Sequence, residues 1–489
     1  LTFDPDGTVT TWQPSRPVQD ALRDDEGCLW MADYRNGMTK ACAPGGEVEV
    51  FTPEGPTSTV TFGLYTHDDR IVLLHGGYNL SSSVERGQDV GFSTFQESTW
   101  DNYSSLNGRM PYANDLVGAA YNPRNGSFYV SSYGWGVIEF ASDCTITRWS
   151  NDNASLLSVE QPGVQPGPPF VRIGGMTVDR EGNLWVANTF APSRPLHVLR
   201  PDGTWESFAI GNVGVRAILD VMIDRNGYKW CRHWNTSSAT LGMVVFDEVE
   251  NQARRITTDN GLPSNLVRDV VEDEDGLIWV ATDGGVVVFY DSFDVFERAI
   301  QAEGPRVRIN ATQSTTLLSN ERVNCIAVDG GNRKWIGTDN GLYLVSPDGS
   351  EVIQQFTRSN SPLYSNRIID VTVNGRSGEV FVALDEGVIS YRSDATDAAP
   401  THGTVRAFPN PVRPEYEGLI TISGLATDAV VKITDVSGKL VHEGRAAGGT
   451  ATWNGRDYNG RAARTGVYLV FSATEDGTES FVTKIAVVE

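Results

Sequence analysis

Twelve side chains of this 489-residue chain could together do chemistry on a sugar: Tyr34, Arg35, Tyr78, Arg109, Tyr112, Trp135, Arg194, Arg232, His233, Trp234, Arg306 and Arg308. Aromatic faces stack on sugar rings, and guanidinium forks pair with carboxylate or phosphate. Mixed in this way they have the composition of a site for an acidic polysaccharide. The run CRHW at 231–234 stands out because it directly follows a strand pattern. No catalytic set accompanies these residues. A glycoside hydrolase needs two carboxylates at a set separation across a pocket, whereas the aspartates here fall mostly at the turns of a repeat. The sequence holds no Gly-x-Ser-x-Gly elbow, no His-Glu-x-x-His and no phosphate-cradling loop. DEDG at 273–276 reads as a turn rather than a calcium loop. No catalytic residue, cofactor or metal ligand is therefore expected.

The elements that must position these groups are set by a repeat. An aromatic follows a Gly-containing turn at Trp30, Tyr129, Trp185, Trp230, Trp279, Trp335 and Phe381, and a weaker copy puts Val72 at that place. Successive gaps run from 42 to 57 residues. The cleanest unit predicts strands at 267–272, 277–282, 285–290 and 296–300. Four short strands per unit of this length describe a β-propeller blade. Asp, Asn and Gly tolerate the left-handed backbone of tight connections. The tryptophan is expected to be an apolar plate between neighbouring blades. Long connections, at 76–89, 101–115, 151–175, 188–195 and 301–321, all fall on one face of such a propeller, and the other face has short turns. Binding groups concentrate on long loops carried by rigid scaffolds.

Charge and cysteines narrow the class. With 39 basic and 62 acidic residues the net charge is −23, and no Lys/Arg run offsets it, so nucleic acid is excluded as a partner. No apolar stretch is long enough to span a bilayer. Cys28 and Cys42 flank a predicted hairpin symmetrically about position 35. They could pair as a disulfide, favouring an oxidising compartment, or stay as buried thiols.

The segment DNGLPSNLVRDVVEDEDGLIWVATDGGVVVFY (259–290) resembles the two-component regulator propeller repeat, which implies seven-bladed propellers, often in tandem. From 404 onward the pattern changes to a small β-sandwich of alternating strands, such as 430–434 and 467–471. This tail resembles the C-terminal sorting domain of type IX secretion cargo through FPNP (408–411), DVSGKLV (435–441), TGVYLV (465–470) and KIAVV (484–488). The residues that carry the match are Pro409, Asn410, Pro411, Gly438, Gly466, Tyr468 and Lys484. The run TWNGRDYNGRAARTGVY also resembles the immunoglobulin-like module of flagellar-hook capping proteins.

A regulator-type propeller joined to such a tail resembles the PorZ family of type IX surface proteins. The resemblance implies a non-enzymatic accessory of type IX secretion at the cell surface and outer membrane. It would bind anionic lipopolysaccharide through its propellers, and the sortase complex and outer-membrane components through its tail. The expected fold is all-β: a propeller, seven-bladed with eight as the alternative, then an immunoglobulin-like sandwich. The expected domains are 1–54, from an earlier propeller, 55–400, a complete propeller, and 404–489, the sorting-type sandwich. That family has two propellers, so the hairpin LTFDPDGTVTTW at the start is expected to be the end of a blade whose beginning lies upstream. Competing readings are a secreted cargo protein that binds glycan or protein and loses its tail, and a propeller glycosidase or lyase.

Overall fold

In the computed structural model each Asp-x-x-Gly segment turns the chain between the first two strands of a sheet, and one carboxylate does most of the turning. Asp273 Oδ1 accepts from the backbone N–H of Asp275 and Leu277, while its Oδ2 accepts from Trp279 Nε1 at 2.9 Å. The same bond joins Asp24 to Trp30, Asp179 to Trp185, Asp224 to Trp230 and Asp329 to Trp335, at 2.8–3.1 Å. A positive φ is needed at the turn's fourth residue, supplied by Gly276 at 85° and in the Asp329 turn by Asn332 at 55°.

The structure describes residues 2–488 except 4–5, 7, 11–17, 34–36, 52–53, 80–83, 160–169, 192, 211–216, 234–241, 309–312 and 475. They divide into two units, Leu1–Gly55 and Pro56–Glu489. In the first, Thr2–Phe3 pairs with Val9–Thr10 as the expected hairpin, and Val18–Arg23, Leu29–Asp33, Gly37–Ala41 and Val48–Phe51 form one antiparallel sheet. Leu29 lies opposite Ala41, which brings Cys28 and Cys42 together, and they form a disulfide.

The second unit is all-β, a propeller followed by a sandwich. Its sheets begin with the strands Gly63–His67, Leu116–Asn122, Val171–Val178, Ile218–Ile223, Val267–Glu272, Val323–Val328 and Ile368–Asn374. Each is followed antiparallel by a second and third strand, and four-stranded sheets are the rule. The last sheet returns to the first: Leu64 N donates to Asp370 Oδ2 at 2.7 Å, and the hydroxyls of Thr66 and Thr372 lie 2.8 Å apart. Seven first strands are thus found among the described residues, the sheets that begin at Leu116 and Val171 are joined through the pairing of Tyr133 with Arg172, and the last sheet is bonded to the first.

The tryptophans lie where the repeat predicts, between sheets. Trp230 packs with Val267 and Val270 of the following sheet, and Trp335 with Ile368 and Val371. Lysines complete two of these joints. Lys334, with no exposed surface, sits 2.8 Å from Asp273 Oδ2 and 4.8 Å over the Trp279 ring. Lys229 lies 4.1 Å over Trp185 and 3.1 Å from Glu248.

One predicted strand is absent. Residues 296–300 form turns, because Arg254 reaches in and donates to the carbonyls of Val295 and Arg298, while Val295 and Ile300 drop into the core. Val288 instead bridges to Glu303, and the predicted loop 301–321 contains a hairpin, Arg306–Arg308 with Ser314–Thr316.

The C-terminal sandwich packs the sheet of Arg406–Phe408, Ile420–Ser423 and Thr450–Trp453 on that of Leu440–Arg445, Val430–Asp435, Gly466–Ala473 and Ser480–Val487. Its core is built around Trp453, Ile433, Val470 and Ile485. The motif residues serve this fold. Asn410, between Pro409 and Pro411, donates to Lys484 O and accepts from Ala486 N, tying the first strand to the last. Gly438, at φ 86°, closes the Asp435 turn. Gly466 opens its strand, and Tyr468 packs on Trp453 and donates to Arg464 O at 2.9 Å.

Replacing Asp273 by Ala leaves Lys334 buried without its carboxylate and Trp279 Nε1 without an acceptor. Loss of one partner of a buried ion pair costs about 3–5 kcal/mol. Trp279→Phe keeps the plate and loses one bond to a charged group, about 1.5–3 kcal/mol. Denaturant titration should rank the two variants in that order.

Candidate functional site

Three aspartates lie not at turns but on first strands, where a bulge interrupts the pairing: Asp220, Asp269 and Asp370. In each, Oδ1 accepts the backbone N–H of the next residue at 2.8–2.9 Å. The other oxygen stitches sheets together. Asp269 Oδ2 accepts from Ile326 N at 2.8 Å, and Asp370 Oδ2 from Leu64 N. Ile326 and Leu64 follow Cys325 and Gly63, positions without a carboxylate to take that N–H. Asp220 differs, because the next sheet has its own Asp269, which already holds the N–H of Val270. Its Oδ2 faces Arg232 at 3.7 Å instead.

These groups line an axial cavity of about 700 Å³, together with Phe62, Tyr78, Arg86 and Cys325. The volume is that of a small-molecule site. Burial pushes all three carboxyls up, Asp269 to about 6 and Asp370 to about 7, against the bonds from Ile326 and Leu64 that favour the charged form. Asp269 and Asp220 add like-charge repulsion at Asp370, and Arg232 partly offsets it at Asp269. The cavity wall is also close-packed: a Cβ on Gly175 would lie 1.7 Å from Asp220 Oδ1.

The mouth on the long-loop side is rimmed by charges in sequence. Arg268 pairs with Asp283, Asp283 with Arg322 at 3.5 Å, Arg322 with Asp339 at 3.5 Å, and Arg367 with Asp339 and Asp385 at 3.7 and 3.5 Å. Arg322 and Arg367 keep about half of their side-chain surface in solvent. Arg86, exposed, lies 6.0 Å over the Phe62 ring.

The predicted site residues do not form one group. Tyr78 and Arg232 meet at the cavity. Tyr112 and Trp135 meet edge to face at 5.0 Å, with Arg148 5.4 Å over the Trp135 ring, as a separate surface cluster. Arg109 is held by Asp101 and the Tyr103 ring, and Arg194 by Ser207 O. Arg306 bonds Ser314, and the Arg308 backbone bonds Ser350, on the hairpin described above. His233 is buried at the end of Lys229–His233. Tyr34, Arg35 and Trp234 lie outside the described residues. The residues missed are the cavity aspartates, whose signal was an aspartate followed by valine, in LDV, RDV and IDV, at the same place on three first strands. Arg172 was also missed: it is buried, bonded to Glu85 at 2.5 Å and flanked by the Tyr133, Phe170 and Phe190 rings.

Residues 261–284 match the two-component regulator propeller family. No curated protein matches the chain. Among solved structures it is similar to PorZ, an essential bacterial surface component of the type IX secretion system of Porphyromonas gingivalis. That similarity has TM-score 0.72 and 23% identity, over 96% of this chain and 66% of the other. The fold is PorZ-like. The chain thus spans just under two thirds of the length of that PorZ chain. It is also similar to the extracellular domains of two hybrid two-component systems from B. thetaiotaomicron. These are BT4673 (TM-score 0.49, 11% identity, 96% of this chain and 69% of the other) and BT3049 (0.47, 12%, 96% and 61%). The 96% of this chain that the similarity covers takes in both the propeller and the sandwich.

The cavity carboxyls predict an inverted pH response. Asp269 and Asp370 bind protons more tightly folded than unfolded between their ordinary 3.8 and about 6–7. Their contribution to stability is therefore present at low pH and lost as pH rises through that window. Melting curves from pH 4.5 to 8 should show this component, and Asp370→Asn should flatten it whatever it does to the midpoint itself.

Proposed function

We propose that this protein is a non-enzymatic surface accessory of type IX secretion, retained at the outer membrane. It would bind an acidic glycan, anionic lipopolysaccharide above all, through the long-loop face. Its C-terminal sandwich would engage the sortase complex and outer-membrane components of the machinery. The observation that carries the reading is the arginine-studded mouth on the long-loop face of a chain whose fold follows that of PorZ through propeller and sandwich alike. Exposed guanidinium groups at a concave mouth suit phosphate and carboxylate, even on a chain of net charge −23. The Cys28–Cys42 disulfide supports passage through an oxidising compartment.

A retained tail, rather than one cut off, is supported by how the connection is built. Thr396 bridges to Gly448, its hydroxyl lies 2.6 Å from that of Thr450, and Ala399 bridges to Ala426. Residues 396–399 therefore run as part of the sandwich edge, and a protease acting near Thr404 meets paired backbone just upstream.

Purified full chain should bind immobilised anionic lipopolysaccharide and not a neutral lipopolysaccharide, with affinity falling as salt rises. Charge reversal of Arg322 and Arg367 together should weaken it at least tenfold. Absence of binding at low salt overturns the glycan part of the reading. Recovery of a cell-surface form shortened at about Thr404 favours secreted cargo instead. Release of new reducing ends from a polysaccharide panel favours a glycosidase or lyase.

A further inference from the structure

The cavity wall holds one polar pair whose bonding capacity the protein leaves unspent. Asp269 and Asp370 each give both oxygens to backbone N–H groups, but Asp220 gives only Oδ1, to Val221 N. Its Oδ2 lies 3.7 Å from Arg232, beyond hydrogen-bond length. Arg232 brings five N–H donors in a planar fork. Its Nε is buried without a hydrogen-bond partner among the described residues. The acidic and hydroxyl groups that act on its fork are Asp220, Asp269 and Tyr78, with Asp220 Oδ2 at 3.7 Å. A buried guanidinium left this far short of acceptors costs free energy unless something completes it. Both groups face the cavity: Asp220 keeps 42% of its side-chain surface accessible, and Arg232 keeps 16%.

Above the pair the walls are aromatic. Phe62 and Tyr78 lie 4.9 Å apart, and Tyr78 is stacked on Tyr133 at 4.4 Å, so these rings are fixed in place. Arg86 reaches over Phe62 at the entrance and makes no ion pair among the described residues. An acceptor, a donor fork and aromatic walls, with a further arginine at the entrance, are arranged as a polyol with an acidic substituent requires. A ring hydroxyl donates to Asp220 Oδ2, a neighbouring oxygen accepts from Arg232, and the acid group meets Arg86.

We infer that the Asp220–Arg232 corner of the axial cavity binds one acidic sugar residue, the end of a glycan chain that enters from the long-loop face. This rests on the glycan-binding reading above and deepens it. The Tyr112–Trp135 cluster, with Tyr112 exposed and Trp135 half-buried, is not the primary contact.

The test uses the full chain with glucuronic acid as probe and glucose as its uncharged counterpart, followed by titration calorimetry. Glucuronic acid should bind more tightly than glucose. Asp220→Asn and Arg232→Lys should each weaken it about tenfold or more, the scale of one charge-assisted bond. Tyr112→Ala with Trp135→Ala should leave it unchanged. Where a cavity variant unfolds, hydrogen exchange of the unaltered chain serves: glucuronic acid should protect the amides of 218–223 and 229–233. Binding that ignores both cavity variants, or protection confined to the Tyr112–Trp135 region, overturns the inference even if anionic lipopolysaccharide binds. No binding of glucuronic acid at all overturns it too. If glucuronic acid binds at the corner but lipopolysaccharide does not, the cavity site stands and the secretion-surface reading fails.

Discussion

The bond from a turn carboxylate to an indole N–H six residues later is the constraint on which the other joints of this protein depend. One oxygen of Asp273 fixes the turn and the other fixes the azimuth of Trp279, so the turn and the inter-sheet plate are set by a single group. The cost of burying a carboxylate is offset because every lone pair is used, by two backbone N–H groups, the indole and, in this sheet, Lys334. Lys334 comes from the following sheet, so the same carboxylate also joins neighbours. In the sheet that begins at Leu116, which lacks the Asp–Trp pair, Glu139 takes that place and accepts from both Tyr129 and Trp149. A plate held at a fixed angle gives the sheets that carry it a like relation to their neighbours, which suits a ring that closes on itself.

How much of this was legible follows from sequence distance. The turn, the plate and the antiparallel partners lie within about 25 residues of one another, and they were readable at 267–289 nearly strand for strand. The misread strand at 296–300 failed for a nonlocal reason. Its place in the repeat pointed to a fourth strand, but Arg254, more than 40 residues upstream, captures the carbonyls of Val295 and Arg298, and Val295 and Ile300 turn inward. The cavity was illegible for the same reason. Arg232 was identified by its neighbours in CRHW, yet its partners Asp220 and Tyr78 come from another strand and another sheet. An aspartate in LDV or RDV reads as a turn residue until the closed ring shows that it points to the axis. That the loop arginines do not converge was illegible because local composition cannot tell a solvent-facing guanidinium from one held by a neighbouring strand, as Arg109 is by Asp101.

The repeat also explains why the three cavity aspartates are not equivalent. A carboxylate at the bulge can bond the next sheet's backbone only if that sheet does not use the N–H itself. The pattern Asp–Asp–Cys over Asp220, Asp269 and Cys325 therefore leaves the first of these with a spare oxygen, and the second without one. The chemistry available on the axis is thus a consequence of which neighbours happen to lack a carboxylate, Cys325 and Gly63, and not of the aspartates taken singly.

Departures from the repeat locate the sandwich as firmly as the repeat locates the sheets. Turns elsewhere read DDEG, DREG, DRNG and DEDG, with charged or polar residues after the aspartate, but the turn at 329–332 reads DGGN. A Cβ on Gly330 would lie 2.2 Å from the backbone of Thr396, and one on Gly331 3.3 Å from Ala447 of the sandwich. The reciprocal surface is equally bare, since a Cβ on Gly448 would meet Thr396 O at 1.9 Å. In the next turn Gly375 faces Asp397 at 2.0 Å in the same sense. Glycines in two adjacent turns thus make room where the connection and the sandwich lie against them, and both turns belong to the short-turn side. The sandwich therefore occupies the face that has no long loops and leaves the arginine-rimmed mouth open.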